Sequence, residues 1–312
     1  MNRRKFIHTT SIAGAAVASG LSVSCSEEKK GYQNGKSQWP ICLNASTIRP
    51  TPLEEKINTA SKAGYDAIEP WIGDLEKYEA EGGNLKDLGA KIKDMGLLVP
   101  NIIGLWDCMP MDDQVFKDSL PATRERMRRS ADIGSKHVAA IPVPDREDFD
   151  VETGIRRYKE LLKIGREEYG IIVAFEFVGF FKGIHRFGEA AGIAIDANDE
   201  DACLIMDTFH LYRGGSGFNS IKHINPNFIA DFHWNDVPDS PPREELGDKH
   251  RIYPGDGILP LVQLLKDLKS INYTGPLSLE LFNREHWKQN PLDVAKTGLN
   301  KIMKLIEQAE VL

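Results

Sequence analysis

Ile172-Val173-Ala174-Phe175-Glu176-Phe177-Val178 is the stretch on which the reading of this chain turns. Its β-branched and aromatic residues predict a strand, yet a carboxylate sits in its middle. A carboxylate in a strand interior is costly unless a metal, a cation or hydrogen bonds compensate it. The question for the rest of the sequence is whether other strands carry similar groups at similar places.

From Trp39 onward, short apolar runs alternate with helical patterns, which implies parallel strands joined by crossover helices. Strands are expected at Ile41–Ile48, Ala67–Ile72, Leu97–Trp106, His137–Val143, Ile171–Val178, Ala202–Met206, Phe228–His233 and Pro276–Glu280. Helices are expected near Leu53–Ala63, Leu85–Met95, Ala122–Ile133, Thr153–Tyr169, Gly188–Ile195, Leu259–Lys269 and Pro291–Ala309, with an ill-defined one around Ile221. Gly64, Gly96 and Gly170 stand where helix C-caps belong. Eight such units in about 270 residues predict an α/β fold, a single (β/α)8 TIM barrel over residues 39–312. An open doubly wound sheet is the alternative, but no Gly-rich phosphate loop follows the first strand to support it.

Chemistry in such a barrel sits at the C-terminal ends of the strands. The second strand ends Ile68-Glu69-Pro70-Trp71. The sixth runs Leu204-Ile205-Met206-Asp207-Thr208-Phe209-His210. The seventh reads Ile229-Ala230-Asp231-Phe232-His233-Trp234-Asn235-Asp236, and the eighth Leu277-Ser278-Leu279-Glu280-Leu281-Phe282-Asn283. Glu176, Asp207, His233 and Glu280 come from four consecutive strands and are expected to converge at one mouth of the barrel. Taken alone, such a residue is more often a surface residue or half of a salt bridge; their matching positions raise the set above that. Three carboxylates and one imidazole suit one divalent ion, Mn, Zn, Co or Mg, without choosing among them. His210 falls just beyond the mouth, where a substrate would lie. Glu69, Trp71 and Trp106 are candidate substrate contacts at strand ends, and Trp234 has a similar position. Aromatic walls suit the apolar faces of sugars, with plain packing as the alternative.

The chain has 312 residues, 41% hydrophobic and 27% charged, with a net charge of −7, an ordinary globular composition. An acidic body argues against a nucleic-acid footprint, which needs a basic stripe. The four cysteines, Cys25, Cys42, Cys108 and Cys203, show no C-x-x-C spacing. No disulfide framework is expected at this length, and Cys42 and Cys203 read as buried thiols. Residues 1–24 open with Arg3, Arg4 and Lys5 and continue into a weakly apolar stretch from Ile12 to Val23. That order is expected of a secretory signal, and the paired arginines resemble the twin-arginine export type. Cys25 follows Leu21-Ser22-Val23-Ser24, an imperfect lipoprotein box, and is a candidate lipid anchor at the head of a flexible linker, 25–38. The expectation is an exported protein, periplasmic or tethered to a membrane through Cys25.

The body, from Ile41 to the last helix, resembles the xylose-isomerase-like barrel family, which holds sugar epimerases, keto-inositol isomerases and an apurinic endonuclease branch. The resemblance rests on Ala174–Gly179, Met206–His210, His233–Asp236, Arg251-Ile-Tyr-Pro-Gly-Asp-Gly257 and Ser278–Asn283. The last three, with Trp287 and Pro291, look closest to the inosose (2-keto-myo-inositol) isomerase branch. The resemblance implies that Glu176, Asp207, His233 and Glu280 ligate one divalent metal and that Glu176 and Glu280 are also the acid–base pair. It implies further that His210 contacts substrate and that Arg251 holds a hydroxyl or carbonyl oxygen. No histidine lies between His8 and His137, so the extra zinc ligands of the endonuclease branch are missing. Asp248-Lys249-His250 resembles a metal-binding Asp-x-His of that branch and, with His210, is a candidate for a second ion; a solvated loop is its plainer reading.

The implied activity is isomerisation or epimerisation of a keto-sugar or keto-cyclitol through an enediolate. Two alternatives remain open: a lyase or dehydratase acting on keto-sugars or keto-glycosides with the same metal, and a non-catalytic, metal-containing sugar-binding lipoprotein.

Overall fold

The computed structural model describes residues 31–142 and 146–311; the expected signal at 1–24 and Cys25 lie outside the described residues. Eight parallel strands form the core: β1 (Ile41–Asn44), β2 (Ala67–Glu69), β3 (Asn101–Leu105), β4 (His137–Ala140), β5 (Ile172–Glu176), β6 (Cys203–Asp207), β7 (Ile229–Trp234) and β8 (Leu277–Leu279). Their order, β2-β1-β8-β7-β6-β5-β4-β3, pairs the first strand with the last. The remaining seam lies between β2 and β3. There Ile68 N–H donates to Leu98 O at 2.9 Å, Leu98 N–H to Asp66 O at 3.0 Å and Ile103 N–H to Pro70 O at 3.1 Å. Pro70 has no N–H, but its carbonyl still serves the ladder. The fold is the TIM barrel, nearly closed.

Side chains alternate along a strand, so every second residue enters the barrel. Outward residues such as Leu43, Ile68, Ile102, Phe175 and Leu204 pack in the large cluster under the helices. A smaller cluster holds Ile103, Ala139, Ala174, Cys203 and Ile205. The same alternation sends Glu176, Asp207, His233 and Glu280 inward. In register, Asp207 stands beside His233, and His233 beside Ser278.

Gly64, Gly96 and Gly170 do end helical segments in the left-handed region, at φ 93°, 77° and 65°. Three expected helices differ. The second crossover holds two, Ile72–Ala80 and Leu85–Asp94; the first buries only Ile72 and Leu75, too thin a stripe to read from periodicity. The third runs Asp113–Asp132 with Pro121 inside it. The expected start at Ala122 is thus nine residues late. Asp112 provides the cap, accepting from Gln114 N at 2.8 Å and Val115 N at 2.9 Å. After β6 there is only a short helix, Thr208–Arg213, followed by 3-10 turns at Ile221–His223 and Pro226–Phe228.

Attachment to the barrel also starts earlier than Trp39. Gln33 Nε2 donates to Gly64 O at 2.8 Å and to Asp66 Oδ2 at 2.7 Å, and Ser37 Oγ donates to Trp39 O at 2.7 Å. Residues 31–38, expected in the linker, are thus fastened to the barrel. Cys42, Cys108 and Cys203 are buried free thiols. No described helix is long and apolar enough to cross a membrane.

Candidate metal centre and its cavity

Asp207 shows how the sequence builds this site locally. It ends β6 and caps the helix Thr208–Arg213, with Oδ1 accepting from Phe209 N at 2.6 Å and His210 N at 3.1 Å. Capping fixes the carboxylate and leaves Oδ2 for the barrel interior. It also sets His210 one turn away, at the same mouth. Thr208 and Asn235 tie β6 to β7 behind it, through Thr208 Oγ1 to Asn235 O at 2.8 Å.

His233 is completely buried and stands between two groups of carboxylates. On one side its Nε2–H meets Glu69 Oε1 at 3.0 Å. Glu69 is saturated: Asn101 Nδ2 donates to Oε1 at 2.7 Å, while Asn44 Nδ2 at 2.7 Å and Ser278 Oγ at 2.5 Å donate to Oε2. On the other side Nδ1 faces Glu280 Oε2 at 3.1 Å, Glu176 Oε1 at 3.3 Å and Asp207 Oδ2 at 3.6 Å. That nitrogen is buried without a hydrogen-bond partner. Donation from Nε2 to Glu69 selects the tautomer whose Nδ1 lone pair points at three carboxylates, an arrangement that calls for a cation between them. Ligand atoms of Glu176, Asp207 and His233 lie within 4.8 Å of one another. The donor set therefore fits a divalent ion, which Glu176, Asp207 and His233 would hold, with Glu280 beside them.

Where no metal neutralises them, the same acids favour a proton on Nδ1 instead. Burial opposes protonation of His233, but Glu280, Glu69 and Glu176 together hold its pKa well above the usual value. Burial pushes Glu176 up to about 7; His233 opposes this, and Glu280 and Asp207 add to it. Burial would raise Asp207 as well, yet the Arg251 guanidinium holds it well below the carboxylate range. His210 is held neutral, its pKa lowered by burial to about 4.

Arg251 closes the floor. Its Nη1 donates to Asp207 Oδ2 at 2.5 Å and Glu280 Oε2 at 2.9 Å. Nη2 meets His210 Nε2 at 3.2 Å and Asp248 Oδ1 at 3.0 Å, and Nε donates to Asp248 Oδ1 at 3.1 Å. Asp236 explains the Arg251–Gly257 motif: its carboxylate accepts from the backbone N–H of Val237, Gly255, Gly257 and Leu259 at 2.8–3.1 Å. A Cβ on Gly257 would lie 2.1 Å from Val237 O, so only glycine lets this loop close on Asp236.

Above the floor is a cavity of about 250 Å³. Of the expected substrate contacts, His210, Arg251, Trp71 and Trp106 line it, as do Glu176 and Glu280. Glu69 does not. The sequence places it against substrate, whereas it is fully buried beneath His233 with both oxygens bonded. Trp234 is likewise buried in the core. The Asp248-Lys249-His250 triplet does not gather around a second ion: Arg251 lies between Asp248 and His210, and His250 Nδ1 accepts from Gly247 N at 2.9 Å. Arg49, Phe180, Phe181 and Phe282 also line the cavity and were not singled out from the sequence. Their common signal is position, since each follows the end of a strand by only a few residues.

Fold and site together define a (β/α)8 barrel with a buried, carboxylate-rich candidate metal site opening into an aromatic cavity. A model of the xylose isomerase-like TIM barrel family matches residues 57–305, and the chain belongs to that family. An inosose isomerase of Bacillus velezensis is 27% identical over 263 residues, covering 83% of this chain and 94% of its own. A crystal structure of the IolI protein with a bound zinc atom superposes with a TM-score of 0.79 at 25% identity, covering 86% of this chain and 98% of the other. A 3-dehydroshikimate dehydratase of Pseudomonas putida is 21% identical over 271 residues, which cover 83% of this chain but 40% of that protein.

Proposed function

We propose that this protein is a divalent-metal-dependent isomerase or epimerase of a keto-sugar or keto-cyclitol. The observation that carries the reading is the unpartnered His233 Nδ1 facing Glu176, Asp207 and Glu280 at the floor of a cavity large enough for one sugar ring. The inosose isomerase relative and the zinc in the similar crystal structure support it.

When bound, the cation supplies Lewis-acid stabilisation of negative charge developing on the substrate carbonyl oxygen. One of Glu176 and Glu280 removes the proton from the carbon beside the ketone, and the electron pair moves onto oxygen to give an enediolate. For isomerisation, the hydroxyl proton passes between the two oxygens and the other glutamate protonates the former carbonyl carbon. For epimerisation, the other glutamate returns the proton to the original carbon on its opposite face. Neutral His210 and the anchored guanidinium of Arg251 orient the oxygens. The same acid pair would serve an elimination, and the dehydratase relative keeps that second reading in view.

Metal-loaded protein incubated in heavy water with keto-inositols, ketohexoses and 3-keto-glycosides separates these readings. Isomerisation or epimerisation places solvent deuterium on the reacting carbon without loss of water or aglycone. Retention of the original hydrogen throughout turnover would sink the enediolate route. We also propose, from residues 1–24, that the protein is exported; cell fractionation that leaves it wholly in the cytoplasm refutes this.

A further inference from the structure

The floor and the rim of the cavity differ in charge. On the floor, Glu176, Asp207, Glu280 and Asp248 face the single guanidinium of Arg251, whose Nε and both Nη are engaged. A bound divalent ion would leave this floor at about −1. On the rim, Arg49 lies exposed just after the 3-10 turn Ala45–Ile48. Its guanidinium stacks on Trp71, 4.5 Å from the ring centre, and lies 6.0 Å from the centre of Phe282. Trp71 is itself held by Nε1–H to Asn44 Oδ1 at 3.0 Å. Of the two arginines lining the cavity, Arg49 alone has no carboxylate within 4.0 Å among the described residues.

We propose that Arg49 recognises a carboxylate on the substrate, so that the site takes a keto-sugar acid or a ring keto-acid in preference to a neutral keto-polyol. This rests on reading the cavity as a keto-substrate site. A guanidinium stacked on an aromatic face keeps its N–H edges free, and that fork matches a carboxylate. The negative floor turns an anionic group away from the cation-binding end and toward the rim. Phe282 spans the two ends: Arg251 lies 5.2 Å from its centre and Arg49 6.0 Å. A ring lying across Phe282 and Trp71 would thus present its ketone to the floor and its carboxylate to Arg49. A dianionic phosphate suits the rim less well, because no second free cation lines it.

The test titrates the full, manganese-loaded protein with fructose, fructuronate and fructose 6-phosphate. Tryptophan fluorescence and calorimetry report binding, and turnover is measured separately. Fructuronate should bind about tenfold or more tightly than fructose. Arg49→Gln should abolish the difference, and Arg49→Lys should restore part of it. Equal binding of fructose and fructuronate, an undiminished preference in Arg49→Gln, or a preference for the phosphate would each overturn the assignment. Failure of all three to bind would overturn it together with the proposed reaction. Arg49-dependent binding of fructuronate without turnover of any ketose would remove the reaction and leave this inference standing. Turnover of a neutral ketose that Arg49→Gln leaves indifferent to charge would do the reverse.

Discussion

Two carboxylate environments flank one imidazole. Beneath His233, Glu69 receives four hydrogen bonds, from Asn44, Asn101, Ser278 and His233 itself. Above it, Glu176, Asp207 and Glu280 crowd an Nδ1 that has no partner. All four acids are buried at strand ends of the same barrel, at 0–4% exposure. Burial therefore does not tell them apart, and neither does the number of hydrogen bonds, since Asp207 also accepts from Phe209, His210, Asn235 and Arg251. What differs is that Glu69 engages Nε2 of His233 while the other three face its bare Nδ1. Glu69 holds the imidazole in one tautomer, and the acids facing Nδ1 are placed to bind and react.

The upper set should respond most. Glu176→Gln and Glu280→Gln are each expected to lower turnover by about 10²- to 10⁴-fold, the usual contribution of a positioned acid or base. Steady-state rates with the substrate found in the screen measure this, and intact turnover in either variant breaks the distinction between the two sides.

A second imidazole sharpens the contrast. His137 is 6% exposed at the start of β4, with Nδ1–H donating to Pro100 O at 3.0 Å. No acid crowds it as three crowd His233, and burial lowers its pKa to about 4. Its folded value lies below the unfolded one, so the unfolded chain binds the proton more tightly. The stability it contributes is complete above about pH 6.5 and is lost as pH falls toward 4, roughly 3 kcal/mol in all. Urea melts across that range should show a steeper acid limb for wild type than for His137→Gln; identical limbs would assign the acid sensitivity elsewhere.

The smallest effect tests the lower side. Glu69→Gln keeps the shape but replaces one acceptor with a donor facing groups that already donate. Affinity for zinc should fall by about 10- to 100-fold, as for other outer partners of metal-binding histidines. Chelator competition measures it. A change in substrate KM with unchanged zinc affinity would return Glu69 to the cavity wall.

Much of this was legible beforehand for a physical reason. Strand alternation and the eight-unit count are local properties, so the barrel and its inward-facing Glu176, Asp207, His233 and Glu280 follow from periodicity. Glu69 was misplaced because its sequence context, Ile68-Glu69-Pro70-Trp71, looks like that of the other strand-end acids. What separates it from them is supplied by residues at 44, 101, 233 and 278. The third helix starts at Asp113 rather than Ala122, because Asp112 caps it upstream and Pro121 is accommodated inside it.

By itself, then, the amino-acid sequence determined the architecture, the end of the barrel where chemistry could occur, and the residue types gathered there, because each depends on spacing along one strand or one turn. Only the tertiary structure decided which buried acid holds Nε2 of His233 and which acids face its Nδ1. It alone set Arg251 against the floor and left Arg49 on the rim. Those outcomes depend on which donors arrive from distant strands, and a one-dimensional pattern carries no record of that meeting.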